Sequence, residues 1–316
     1  MRTFFSIATI LLILPACTVG QLKWKKMNHL FDSLPSSIRV FRSSDTLNGR
    51  PFTAWCVEVK MRDKKLDFTT QTGQGNRYTP AEFYEAEGRP YIVVNGAFFS
   101  FQTNQNLSTV IRNGKMEAYN VSALKSLYTD SFYYPTRGAI GIHKKRWADV
   151  AWLFTDSTKR WPYAFQDRPI VAKGGKTNPG IDDLQTIDRW KYWKMHAAVG
   201  GGPVLVREGA VYVTHREEQL YVNGHNDLHP RTAMGYTRNR RLIILVIQGR
   251  SPGSAEGATL EETARIMVNL GCEEAVNLDG GGSSCLLVNG KETIEPSDKE
   301  GQRPVASVFI IQKKKK

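Results

Sequence analysis

The chain has 316 residues, 41% hydrophobic and 23% charged, which excludes a disordered or fibrous protein and leaves one large globular domain or two small ones. Lys and Arg total 43 against 30 Asp and Glu, a formal charge of +13. Such a field attracts nucleic acid, anionic lipid and phosphorylated glycan alike; no nucleic-acid-binding module is legible, so no nucleic-acid partner is expected.

Arg2 precedes an apolar run over 4–14 that is too short to span a membrane as a stable helix. It ends in Leu14-Pro15-Ala16-Cys17, which resembles a bacterial lipoprotein signal box. That likeness implies removal of residues 1–16 and acylation of Cys17. The expected location is the bacterial cell envelope, periplasmic or cell-surface, with contact to the membrane through the lipid anchor; an ordinary secretory leader is the alternative. Without Cys17 the cysteines are Cys56, Cys272 and Cys285, an odd count without C-x-x-C spacing. This is neither a disulfide framework nor a zinc site, although a bridge between Cys272 and Cys285 stays open.

Residues 17–47 mix Lys, Ser and scattered apolar residues and read as a tether with an irregular segment. The main domain is placed at 48–312, and 313–316 is a solvated basic tail. Alternation over 52–70 predicts a strand pair around Arg62-Asp63-Lys64-Lys65. Thr79-Pro80-Ala81-Glu82 is a capping box with proline at the first helical position. The short helix stops near Gly88 and is followed by the apolar run 91–94, which enters Asn95-Gly96-Ala97-Phe98-Phe99. Phe98 and Phe99 read as packing residues in preference to sugar platforms. A hairpin is expected around His143-Lys144-Lys145-Arg146. The stretch 157–192 reads as an excursion over a binding face, with Trp161, Trp190 and Trp193 as candidate sugar-stacking residues. Gly200-Gly201-Gly202-Pro203 feeds a strand, and Arg231 opens another that pairs with the apolar run 242–247. Asn289-Gly290 marks a hairpin turn, and 305–311 supplies a last strand. Hairpins with a few helices predict an α+β single domain of mixed, largely antiparallel sheets with flanking helices.

The most informative stretch is Asn277-Leu278-Asp279-Gly280-Gly281-Gly282-Ser283-Ser284. Before it, Thr259 and Glu262 form a second capping box, and Ala264, Ile266, Met267 and Leu270 mark one face of a helix that Gly271 ends. Residues 275–278 then return as a strand. A helix of about eleven residues and a strand of about five each cover roughly 16 Å. Asp279 is therefore expected near Glu262, with two carboxylates and a run of glycine amides facing one cleft. The helix–strand–loop unit around Asn95 has the same pattern, so the two units are expected side by side in one sheet. The run Gly280-Gly281-Gly282-Ser283-Ser284 lacks the lysine of a P-loop and is not a G-x-S-x-G elbow. His225, Asp227 and His229 share a loop without a metal-site pattern, and no metal is assigned.

Asn95-Gly96-Ala97-Phe98-Phe99, Gly201-Gly202-Pro203, Arg231-Thr232-Ala233-Met234-Gly235, Leu260-Glu261-Glu262 and Asn277-Leu278-Asp279-Gly280-Gly281-Gly282-Ser283 together resemble the phosphodiester glycosidase family. The resemblance covers roughly residues 52–311. It implies hydrolysis of a sugar-1-phosphodiester, of the N-acetylglucosamine-1-phospho-sugar type, with no required organic cofactor. Residue chemistry fits that expectation. Glycosidic cleavage usually uses paired carboxylates, here Asp279 and Glu262, with Asp227 or Asp298 as substitutes for Glu262. Arg231 suits bidentate phosphate binding. Thr232 and the amides of Gly280, Gly281, Gly282 and Ser283 are further donors to phosphate, and Ser284 is a further ligand. Asn95, with Gly96, suits sugar recognition, and Gly201 and Gly202 form a third glycine loop at the site. A metal-assisted phosphodiesterase and a non-catalytic lipoprotein that binds anionic glycan are the alternatives.

Overall fold

Successive side chains of a strand face opposite ways, and along the strand Arg241–Ile247 both faces are apolar. Leu242, Ile244 and Val246 enter one core, while Ile243, Leu245 and Ile247 enter another. Such a strand must be covered on both sides. The computed structural model describes residues 22–121, 124–125, 132–133, 136–169, 190–220 and 224–315, and it shows what covers them. Sheets of eight, seven and five strands each turn one face to a shared core, to which Val57, Val276, Ile140, Trp152, Val94 and Phe309 contribute. The long strand pairs are antiparallel, in agreement with the predicted α+β class. No helix among the described residues is long and apolar enough to cross a membrane.

Two helices cover outer faces. Leu260–Asn269 lays Leu260, Ala264, Ile266 and Met267 against Leu205, Ala233 and Leu245 of the eight-stranded sheet. Its outward Glu261 and Arg265 pair at 2.9 Å, one turn apart. Pro80–Ala86 buries Phe83 against Val93, Val308 and Ile310 of the five-stranded sheet. Both capping boxes are formed. On the seven-stranded sheet Trp193 and Met195 cover Gly141, where a Cβ would come within 2.4 Å of Met195 Cγ.

The expected hairpins at 143–146 and 289–290 are present, as is the pairing of the strand opened by Arg231 with 242–247. Four expectations change. The strands Arg50–Lys60 and Leu66–Thr72 follow one another but belong to different sheets. Their turn is a corner between layers, because each strand finds its partners elsewhere, in Ile38–Leu47 and Arg241–Ile247 on one side and Ser307–Lys313 on the other. Residues 22–47 are not a tether: Ile38–Leu47 pairs with Arg50–Lys60 at ten positions. Its alternation is masked in the sequence because the buried face changes along the strand: Ile38 and Val40 enter the shared core, whereas Phe41 and Leu47 pack on the other one and Ser43 takes a fully buried place. The basic tail begins later than expected, since Lys313 closes the strand Ser307–Lys313. Finally, Cys272–Asn277 and Ile92–Asn95 lie in separate sheets. Cys56, Cys272 and Cys285 are free and buried, so the bridge left open between Cys272 and Cys285 is not formed. Cys17 and residues 170–189 lie outside the described residues.

Candidate active site

Although the two helix–strand–loop units occupy different sheets, their loops meet. Asn95, at the end of its strand, is completely buried. Its Nδ2 donates to the Asp279 carbonyl at 2.6 Å, while its Oδ1 accepts from Thr232 Oγ1 at 2.8 Å and the Cys285 amide at 3.1 Å. The Asp279 amide donates to the Gly96 carbonyl at 3.2 Å, and the Leu278 amide to that of Thr232 at 2.8 Å. Five hydrogen bonds thus lock the strand ends that carry the site. This corrects the roles expected of Asn95 and Thr232: their polar atoms hold protein to protein and do not face a sugar or phosphate.

The glycine clusters are corrected for a similar reason. The amide of Gly281 donates to the Pro230 carbonyl at 2.9 Å, and those of Ser283 and Ser284 donate within the loop. Gly281 sits at φ +60, the left-handed region that favours glycine. Gly282 is required for space: a Cβ there would lie 2.0 Å from Arg303 Nη2 and 2.3 Å from Asp298 Oδ1. The Gly201 and Gly202 amides donate to the carbonyls of Gly138 and Asn277, and that of Gly96 to Ser307. A Cβ on Gly201 would come within 2.2 Å of the Asn277 carbonyl oxygen. Gly201 thus admits neighbouring backbone and Gly282 the Arg303–Asp298 pair, while Gly280 and Gly281 line the open pocket. Ser284 Oγ lies 3.3 Å from Thr232 Oγ1 and is buried.

What remains open is a pocket of about 420 Å³ lined by Asp279, Gly280, Arg231, Arg250 and His229, with Phe98, Phe99 and Phe101 among its apolar walls. Asp279 is enclosed on most sides while part of its surface reaches the pocket. Burial raises its pKa to about 6, against the smaller opposing effects of the Ser283 hydroxyl, the Arg303 guanidinium and the Gly280 amide. The buried Ser283 hydroxyl stops short of full hydrogen-bond geometry, so its help is that of a nearby dipole.

Arg231 is 2% exposed. Its Nε donates to the Ala258 carbonyl at 2.9 Å and its Nη2 to that of Asp227 at 2.8 Å. These bonds fix the guanidinium plane and use part of the fork expected for phosphate. Arg250, not singled out from the sequence, supplies an exposed cation in the same pocket, with Nη2 3.5 Å from His229 Nδ1. Its backbone is at φ +62, a conformation that side chains rarely adopt. Gly249 before it touches Pro230 and Gly257, so a Cβ there would stand 2.8 Å from either. The legible signal was a Gly-Arg-Ser-Pro turn directly after a buried strand, since functional residues concentrate on loops at strand ends. His229 has a lowered pKa, first through burial and then through Arg231 and Arg250, and so tends to be neutral.

Glu262 does not line this pocket. Its Oε2 accepts from the Thr259 amide at 2.9 Å, and its Oε1 from Asn48 Nδ2 at 2.7 Å and from Arg50. The carboxylate is committed to the helix start and an ion pair, so the expected two-carboxylate cleft does not form. Asp298, one substitute, makes a two-pronged pair with Arg303 at 2.7 and 2.9 Å. Asp227, the other, lies 3.9 Å from His229 Nε2. Among the described residues no three His, Cys, Asp or Glu side chains converge as metal ligands. Trp161, Trp190 and Trp193 are not in the pocket. Trp193 donates to Asp149 at 2.6 Å, Trp190 packs on Tyr163, and Trp161 lies against Gly114.

A buried strand-end carboxyl beside arginines, on three antiparallel sheets, defines a class of anion-handling enzyme sites. Residues 88–312 match the family model described as phosphodiester glycosidase, and the chain belongs to that family. It is 31% identical over 216 residues to N-acetylglucosamine-1-phosphodiester alpha-N-acetylglucosaminidase from Bos taurus, covering 66% of this chain. The chain matches only 33% of that relative's length. The auto-inhibited catalytic domain of the zebrafish enzyme of that name has a similar fold, with TM-score 0.61 and 19% identity over 90% of this chain and 85% of that one. A hypothetical protein from Synechocystis superposes with TM-score 0.60 at 15% identity, over 93% of this chain and 68% of that one.

Proposed function

We propose that this protein hydrolyses a sugar-1-phosphodiester of the N-acetylglucosamine-1-phospho-sugar type, releasing free sugar and a phosphomonoester. The observation that carries this reading is the placement of Asp279 in one pocket with Arg231 and Arg250. The arginines attract and orient a phosphodiester. A phosphoryl leaving group departs as a stable anion, so its oxygen needs less protonation than an ordinary glycoside's. A single carboxylate suffices for the other half of the reaction. Asp279, once ionised, takes a proton from water as that water attacks the anomeric carbon, and the C–O bond electrons leave with the phosphate.

The test is hydrolysis of N-acetylglucosamine-1-phosphodiesters in ¹⁸O-labelled water. Label in the sugar supports C–O cleavage. Label in the phosphate makes the protein a phosphodiesterase and overturns the assignment; binding without turnover makes it a glycan-binding protein.

The location in this reading is the bacterial cell envelope, with acylated Cys17 tethering the domain to the membrane. A single acyl chain holds a protein only marginally, so two or more are expected. Metabolic labelling with a fatty-acid analogue should mark the wild-type protein and not Cys17→Ser. Equal labelling of both rules the anchor out.

A further inference from the structure

A large aromatic ring left in water beside a pocket that holds a carboxyl and arginines calls for an explanation, and Phe101 is such a ring at 61% exposed. It lines the pocket that holds Asp279. The ring is not loose. Phe99 packs against it with centroids 4.9 Å apart and planes tilted by 50°. The guanidinium of Arg77 lies 5.3 Å from the Phe101 centroid and 5.4 Å from that of Phe99, and that of Arg303 lies 5.4 Å from Phe101. Arg303 is itself held by Asp298 directly over Gly282. The rim is therefore continuous with the loop that follows Asp279, and its geometry exists before any ligand arrives.

The two cations differ. Arg303 spends its charge on Asp298, whereas Arg77 has no carboxylate partner among the described residues and lies over the two rings. A cation beside exposed aromatic surface, next to a pocket that takes a phosphodiester, matches one kind of group. Pyranose C–H faces carry slight positive charge and suit the negative face of an aromatic ring, while Arg77 calls for an anion within reach of that sugar. We propose that Phe101 and Arg77 form the subsite for the leaving alcohol, and that this alcohol is a sugar bearing a negative charge of its own. The inference rests on the function proposed above and names the substrate's other half.

Three N-acetylglucosamine-1-phosphodiesters test it, with methanol, a neutral hexose or a hexuronate as leaving alcohol. Phe101→Ala should lower the preference in kcat/KM for the hexose ester over the methyl ester about fivefold, and Phe101→Trp should restore it. Arg77→Ala should lower the preference for the hexuronate ester over the hexose ester about fivefold. Unchanged preferences in either alanine variant overturn the proposal. So does an equal loss on all three esters, which would place the rim on the side of the sugar that is released. Thermal melts of the variants show whether the fold is intact. Should the wild type cleave none of the esters, the proposed function falls on its own. Calorimetric binding of the free hexuronate then judges the rim, with weaker binding to Phe101→Ala supporting it and equal binding overturning it.

Discussion

A carboxyl whose pKa is raised by burial destabilises the protein that holds it once it ionises, and Asp279 shows what that means for function. Its folded pKa is about 6 against an ordinary 3.8. Between those values the folded protein keeps a proton that the unfolded chain has released, so stability falls as pH rises through that window. Activity should move the opposite way, rising through about pH 6 as the base ionises. Asp279→Asn should therefore lose about 10²-fold or more in turnover yet melt higher than wild type at pH 7, with the gap closing near pH 4. Melting curves and rates on one preparation check this, and a variant that melts lower at pH 7 would mean that Asp279 is structural. Glu262 should behave in reverse. Glu262→Gln weakens the cap and the Arg50 pair, costing about 1–2 kcal/mol in denaturant unfolding, while kcat per folded molecule stays as it was. From sequence alone Asp279 is the first candidate and Glu262, which also caps a helix, the second. Helix and strand lengths place Asp279 near the helix start, but they do not reveal Asn48 and Arg50, more than 200 residues away, which take Glu262 out of play.

At the scale of elements, the site depends on a single amide. Asn95 binds Asp279, Thr232 and Cys285 at once, across two sheets. Asn95→Ala leaves those partners unpaired in the interior, at a cost of about 3 kcal/mol or more given roughly 1–3 for each buried polar group. Turnover should fall further than the loss of folded protein explains, because the carbonyl that anchors Asp279 is freed. Denaturant unfolding and specific activity measured together check this, and turnover lost only in proportion to folded protein would assign Asn95 to stability alone. The helices, hairpins and capping boxes were legible because their signals are local. The joining of the two loops was not. Asn95 reads as a ligand to the sugar and Asp279 as a catalytic carboxylate, and nothing in either motif shows that one grips the other's backbone. Arg250 was hidden for a different reason, since an arginine after a strand is ordinary until its left-handed backbone and the Gly249 contact are seen.

For the molecule as a whole, the expected boundary at residue 48 falls between two paired strands. A chain starting at 48 loses Ile38–Leu47 and exposes one edge of Arg50–Lys60, including the side where Val40 and Ile38 close the shared core. An open apolar edge of that length invites aggregation. Such a truncation is expected to be insoluble or to melt far below a chain starting at Leu22, as a solubility and thermal-melt comparison would show.

The five-stranded sheet places Ser307–Lys313 between Leu66–Thr72 and Ile92–Asn95. On the ribosome, those two earlier strands emerge more than 200 residues before the strand that joins them. Asn95 likewise waits for Thr232, Asp279 and Cys285. Pairings so distant in sequence form slowly, because the intervening chain must first be ordered. Through synthesis Leu66–Thr72 and Ile92–Asn95 thus stay without their partner strands and the loop at Asp279 stays unassembled, whereas hairpins such as Arg231–Thr237 with Arg241–Ile247 can pair at once. The strand end that carries Asn95 is complete only once Ser307–Lys313 is in place beside it.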